Sequence, residues 1–156
     1  MGWAQYDSQV CSIARASELI GDRWTLLVLR DLSNGVYRFD DLQRHLGIAR
    51  DVLARRLGRL VAAGIATRVE YQDPGRRTRQ EYRLTDAGRE LRTVMVALME
   101  WGDRHLSGSQ GGAPMALRHD ACNAGAHLEL VCDSGHLLDP AKDVRLDPTP
   151  AARLAG

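Results

Sequence analysis

The chain has 156 residues, 44% hydrophobic and 26% charged, with a formal net charge of +1, which allows one modest core with an appendage and excludes two domains of ordinary size. No apolar run approaches the roughly 20 residues that cross a bilayer, and the opening MGWAQYDSQV lacks a leader's basic and apolar regions. With three cysteines, an odd count unlike a secreted disulfide framework, a soluble, cytoplasmic protein with reduced thiols is expected.

Split along the chain, the charge is uneven. Residues 50–83 hold nine arginines and four acids, a net of +5, whereas 1–49 come to −1, 84–106 to −1 and 107–156 to −2. A focused basic segment on a nearly neutral protein is the footprint of a nucleic-acid surface. A protein-docking surface would favour aromatic and apolar groups at that place.

In chain order, SIARASELIG sets Ile13, Ala16, Leu19 and Ile20 at helical spacing and stops at Gly21, which predicts a first helix with a glycine terminator. RWTLLVLRDL is apolar on nearly every side until SNG and reads as a buried central helix, with Trp24 in the core. RFDDLQRHLG predicts a third helix capped by Asp40 or Asp41, with Leu42 and Leu46 inward and Gly47 at its end; Phe39 reads as core. After only GIA, Leu53, Leu57, Leu60 and Val61 repeat at helical spacing up to Gly64. Two short helices joined by a tight turn after a buried one have helix-turn-helix spacing. Turning those leucines inward directs Arg50, Asp51, Ala54, Arg55, Gly58 and Arg59 outward and leaves Arg56 at the border.

IATRVEY alternates Ile65, Thr67, Val69 and Tyr71 against Ala66, Arg68 and Glu70, and RQEYRLT repeats the alternation with Tyr82 and Leu84. Pro74-Gly75 between them marks a turn, so a β-hairpin is predicted with Arg76, Arg77 and Arg79 at its tip. A helix-turn-helix followed directly by a basic hairpin defines a winged helix. Thr85 beside Asp86 caps a long helix whose stripe holds Leu91, Val94, Met95, Leu98, Met99, Gly102 and His105, with Trp101 either in the core or at the dimer seam. The stripe outruns the small winged core, so a second copy of the chain is expected to cover it. The fold class is therefore mainly α (α+β): a winged helix over 1–106, a linker over 107–115 and a small extension over 116–156 with one strand-like run, HLELVC.

The blocks CSIARASELIGDRWTLLVLRDL, RFDDLQRHLGIARDVLARRLGRLVAAGI, YRLTDAGREL and MEWGDRH stand in the order and spacing of the HxlR family of MarR-related winged-helix transcription regulators, which this chain resembles from Cys11 to Leu106. It departs from the family pattern at Ser12, where a proline often stands, and at Ala49, where a hydroxyl commonly caps the recognition helix. The resemblance implies a homodimer that binds double-stranded DNA at an inverted-repeat operator, most simply as a repressor, answering to a small molecule, an electrophile or an oxidant.

On that reading Arg50, Asp51, Ala54, Arg55 and Arg59 face the major groove, where an arginine forked onto guanine contributes about 1–3 kcal/mol of discrimination. Arg76, Arg77 and Arg79 grip the backbone or enter the minor groove, and Arg38 holds a phosphate near the start of the third helix. Cys11, just ahead of the first helix, has two readings: a thiolate favoured by the helix dipole and so a redox-sensing candidate, or a small buried hydrophobe.

His119, Cys122, Cys132 and His136 have zinc-knuckle chemistry at the spacing H-x2-C-x9-C-x3-H. The element CDSGH lacks the second cysteine of the C-x-x-C-G form, so a degenerate zinc-ribbon-like element folded without metal is expected, and no cofactor. The sequence holds no nucleophile elbow, P-loop or dinucleotide glycine motif, and a regulator rather than an enzyme is expected. The rival is a winged helix that docks on a protein without specific DNA binding.

Overall fold

A computed structural model describes residues 5–72, 74–75, 78–106, 112–152 and 154. The predicted wing-tip residues Arg76 and Arg77, and 107–111 of the predicted linker, lie outside the described residues. The order is α1 (Ser12–Ile20), α2 (Arg23–Ser33), α3 (Phe39–Leu46), α4 (Arg50–Ala62), β1 (Ala66–Tyr71), β2 (Arg79–Leu84), α5 (Asp86–His105), β3 (Leu130–Val131) and β4 (Leu137–Leu138), preceded by a 3-10 turn at Ser8–Val10. The chain forms two compact units, 1–92 with 152–156, and 93–151, which divide inside α5.

The first unit is an α+β winged helix built around α2. Val28, Leu29 and Leu32 of α2 meet Leu42 of α3 and Leu53, Leu57 and Leu60 of α4, all at most 2% exposed. The leucine stripe of α4 is thus the inward face, as its spacing predicts. Asp22 starts α2 by accepting the amide hydrogens of Trp24 and Thr25, each at 3.1 Å. Asp31, 2% exposed at the other end of α2, accepts from the Arg30 guanidinium and lies 2.7 Å from His45 Nδ1, which fixes the end of α3 to α2. A buried carboxylate is tolerable only when so satisfied.

Two details differ from the sequence expectations, and a third was left open by them. The N-cap of α3 is Arg38, without a side-chain cap bond, and Asp40 and Asp41 lie in the first turn. The reason is a third-strand contact: Arg38 forms an antiparallel bridge with Glu81, and Tyr82 N–H donates to the Tyr37 carbonyl at 2.9 Å, so the chain is still extended at 38 and turns helical directly after it. In the hairpin, whose inward face the alternation left open, the buried residues are Ala66, Tyr82 and Leu84. Ala66 is 3% exposed and pairs with Leu84, Arg68 pairs with Tyr82, and Val69 is 39% exposed. Finally, Trp24 and Phe39 are half-buried rather than core, each beneath an arginine, Arg23 and Arg50 respectively.

Where α4, the hairpin and α5 meet, Thr85 is decisive. Its hydroxyl accepts the Gly88 amide hydrogen at 3.2 Å, capping α5 as expected, and lies 2.6 Å from the Gly64 carbonyl. Gly88 itself is buried, because a Cβ there would stand 2.2 Å from the Ile65 carbonyl oxygen.

In the second unit, α5 continues to His105 with Val94, Leu98 and Trp101 exposed and Leu91, Met95 and Met99 half-buried along the helix as a whole. The Leu128 amide donates to Glu100 Oε1 at 2.9 Å. The run HLELVC yields only the two residues of β3, paired with β4. Leu130, Val131 and Leu137 remain 43–62% exposed, so little burial rewards a longer ladder. No helix among the described residues is long and apolar enough to cross a membrane.

Candidate nucleic-acid interface

Helix α4 presents two chemically different sides. With Leu53, Leu57 and Leu60 fully buried, Arg50, Asp51, Ala54, Arg55 and Arg59 are all exposed. Their availability differs. Among the described residues Arg55 makes only an exposed i,i+4 pair with Asp51 at 3.7 Å, an interaction of at most about 1 kcal/mol that a stronger acceptor readily replaces. Arg59 donates to the Glu18 carbonyl at 2.6 Å and so closes the C-terminal turn of α1. Its role in the free chain is to join α4 to α1. Arg56 lies 3.2 Å from Asp22 Oδ1 and joins α4 to the start of α2. Burial pushes the Asp22 carboxyl up, but the Thr25 hydroxyl and amide, the Arg56 charge and the Trp24 amide outweigh it and hold the carboxyl below its ordinary value.

The N-terminal end of α4 opens onto a cleft of about 630 Å³ that brings Arg38, Arg44, Arg50 and Arg79 together from α4, the turn into α3, α3 itself and β2. The predicted set is thus partly one site: Arg38, Arg50 and Arg79 converge, while Arg55 and Arg59 stand further along α4. Two aromatic rings support the cations. The Arg38 guanidinium lies 4.3 Å from the Tyr71 ring and that of Arg50 lies 4.8 Å from Phe39, each contact contributing about 0.5–1 kcal/mol at an exposed site and holding the charge outward. Asp40 lies 3.6 Å from Arg50 and 3.8 Å from Arg79.

Sequence reasoning missed Asp40, Tyr71 and Phe39 as parts of this cleft. Asp40 was legible only as a helix start, and nothing in the spacing aims a strand tyrosine at an arginine 33 positions earlier. Ala49 is the N-cap of α4 and makes no side-chain cap bond, as its methyl group requires.

Elsewhere, Cys11 occupies the N-cap of α1, half-buried and without a side-chain cap bond. In the extension His119 Nδ1 lies 3.1 Å from Cys122 Sγ, and Cys132 Sγ lies 3.5 Å from His136 Nδ1. The two pairs stay separate, and no group of three or more candidate metal ligands occurs among the described residues.

Comparison with known proteins decides the family. Residues 19–110 match the model of the HxlR-like helix-turn-helix family. The chain belongs to that family. An HTH-type transcriptional regulator of Mycobacterium tuberculosis is 46% identical over 147 residues, covering 92% of this chain and 90% of that one, and one of Methanothermobacter thermautotrophicus is 33% identical over 70% of this chain and 83% of that one. Among solved structures, that of PA1607, a candidate transcription factor, has a TM-score of 0.79 at 33% identity and covers 89% of this chain and 95% of that one. The redox regulator HypR in its oxidized form has a TM-score of 0.54 at 27% identity, over 61% of this chain and 97% of that one. This HxlR-like chain is a transcriptional regulator of the helix-turn-helix type, a class whose members are typically not enzymes, and DNA binding is the property its family implies.

Proposed function

We propose that this HxlR-like protein is a cytoplasmic, sequence-specific repressor that binds an inverted-repeat operator in double-stranded DNA as a homodimer. The supporting observation is the division of α4: its leucines are fully buried and its opposite side exposes Arg50, Asp51, Ala54 and Arg55, with the Arg38 and Arg79 guanidiniums beside its first turn. Arg50 and Arg55 suit base edges, Asp51 and Ala54 set which bases are tolerated, and Arg38, Arg79 and the wing-tip Arg76 and Arg77 suit phosphates. Arg59 joins them if it leaves the Glu18 carbonyl. The exposed Val94, Leu98 and Trp101, with Leu91, Met95 and Met99 beside them, supply the seam for a second copy. Control through Cys11 fits its position at the N-cap of α1, and one structural relative is itself a redox regulator.

The test is fluorescence anisotropy of a labelled duplex from the upstream region of the protein's own gene against a scrambled duplex, across a salt series. A sequence-specific regulator binds the first preferentially and weakens steeply with salt, with a log–log slope of roughly −0.9 per phosphate neutralised. Equal, weak binding to that duplex and to a genome-wide pool of fragments would leave the protein-docking reading in its place.

A further inference from the structure

The C-terminal extension carries two histidine–cysteine pairs, each set across a tight turn closed in the same way. In the first turn the Asn123 amide donates to the His119 carbonyl at 2.8 Å and the His119 amide to the Ala124 carbonyl at 2.9 Å. The antiparallel bridge of Arg118 with Gly125 lies just outside it. In the second turn the Gly135 amide donates to the Cys132 carbonyl at 2.8 Å and the Cys132 amide to the His136 carbonyl at 3.1 Å. The β3–β4 pair of Val131 with Leu137 lies just outside that one. Across the turns His119 Nδ1 stands 3.1 Å from Cys122 Sγ, and Cys132 Sγ stands 3.5 Å from His136 Nδ1. Cys132 is half-buried and the other three side chains are exposed.

A tetrahedral Zn²⁺ ion, bound at about 2.3 Å to sulfur and about 2.0 Å to nitrogen, holds two such ligand atoms about 3.5 Å apart. The second pair has that separation and the first lies slightly inside it, so each turn already has the bite of a two-point ligand. His136, next to the position where CDSGH lacks a second cysteine, supplies the fourth donor. Every described residue of the second unit, 93–151, is exposed or half-buried. Burial therefore contributes little to holding the extension together, and small units of that kind are commonly stapled by a metal ion or by disulfides. We infer that the extension binds one Zn²⁺ per chain through His119, Cys122, Cys132 and His136. No three candidate ligands stand together among the described residues, so binding draws the two turns onto each other about the nine residues between Cys122 and Cys132. Both thiols release their protons to solvent as the ion takes two thiolates and two neutral imidazoles. That donor set favours a borderline-soft ion over Mg²⁺. The site stands independently of DNA recognition, so its test reads metal binding directly.

The full chain, reduced and washed with chelator, is titrated with Zn²⁺ against a chromophoric chelator, with Mg²⁺ in excess throughout. The expected result is one Zn²⁺ per chain, undisturbed by Mg²⁺, and an unchanged sedimentation coefficient for the assembly. Cys122→Ser and Cys132→Ser, one from each turn, should each weaken binding at least a hundredfold with an unchanged circular dichroism spectrum. Co²⁺ in place of Zn²⁺ should give the intense visible bands of a tetrahedral site and the near-ultraviolet thiolate band, both lost in either variant. Should a variant unfold, the imidazole signals of His119 and His136 in the unaltered chain serve instead, and must move together as Zn²⁺ is added. The assignment is overturned by the absence of saturable binding with a Kd below about 10 μM or by unweakened binding to a folded Cys132→Ser chain. Two ions per chain would mean that the pairs act separately, and one ion per two chains that the ligands come from two copies; either result overturns it as well, as would movement of only one imidazole.

Discussion

The carboxylate of Asp40 lies 3.6 Å from the guanidinium of Arg50 and so joins the start of α3 to the start of α4. It sits among the same cations that would meet DNA phosphates, with Arg79 3.8 Å away on its other side. Both partners are more than half exposed, so the pair contributes little to stability. If the cleft meets DNA as proposed, Asp40 acts on binding, because its charge repels phosphate and favours a duplex that seats correctly. Asp40→Asn should raise affinity for a scrambled duplex several-fold, raise affinity for the operator less, and lower the ratio between them. Anisotropy on both duplexes measures this, and an unchanged ratio would count against the role.

The arginines of α4 should separate by function. Arg55→Ala removes a group whose only described partner is Asp51, and should cost about 1–3 kcal/mol of operator affinity if it reads a base while leaving the melting temperature within a degree or two. Arg59→Ala breaks the contact with the Glu18 carbonyl and should lower stability by about 0.5–1.5 kcal/mol. Urea midpoints and operator titrations on both variants would expose an exchange of these roles.

Asp22 gives a pH prediction. Its carboxyl is held below the ordinary value in the folded chain, so its stabilisation is fully present above the unfolded value of about 3.9 and is lost as pH falls through the lower, folded one. Asp22→Asn keeps the size of the side chain but lacks the charge facing Arg56, and should reduce the loss of stability between about pH 5 and pH 2. Denaturant midpoints of both chains across that range test it; parallel curves would mean that other carboxyls dominate.

Gly88→Ala should destabilise the first unit by about 1–3 kcal/mol or more, because the added methyl would stand 2.2 Å from the Ile65 carbonyl oxygen, a backbone atom that also accepts the Thr85 amide hydrogen at 3.0 Å. Gly58→Ala, in α4 with open space around its Cβ position, should be neutral or stabilising by up to about 1 kcal/mol. Thermal melts of the two variants give opposite signs on this account.

Leu98→Glu places a charge on the exposed stripe of α5. If that stripe is the seam between two copies, sedimentation equilibrium should show a monomer where the unaltered chain is a dimer, and operator affinity should fall by at least a hundredfold through loss of the paired half-site. A monomeric unaltered chain would remove the seam altogether.

The order of helices, the hairpin and the long terminal helix follow from the sequence because each depends on local periodicity and turn chemistry. The leucines of α4 repeat at helical spacing, Gly47 takes a left-handed φ of 61° at the end of α3, and Thr85 stands where a helix cap must. Which arginines are available, which face of the hairpin is buried and why position 88 is glycine were decided only by tertiary structure. Arg50, Arg55 and Arg59 look alike on a helical wheel, yet one rests on Phe39 beside Asp40, one pairs with Asp51 one turn earlier, and one closes α1 through a carbonyl 41 residues away. The hairpin buries Ala66 rather than its larger neighbours because α4, the β1–β2 register and the approach of α5 at Gly88 fix which side of the ladder meets the core. Periodicity along one segment carries information about that segment; a contact between distant segments depends on how several of them pack at once.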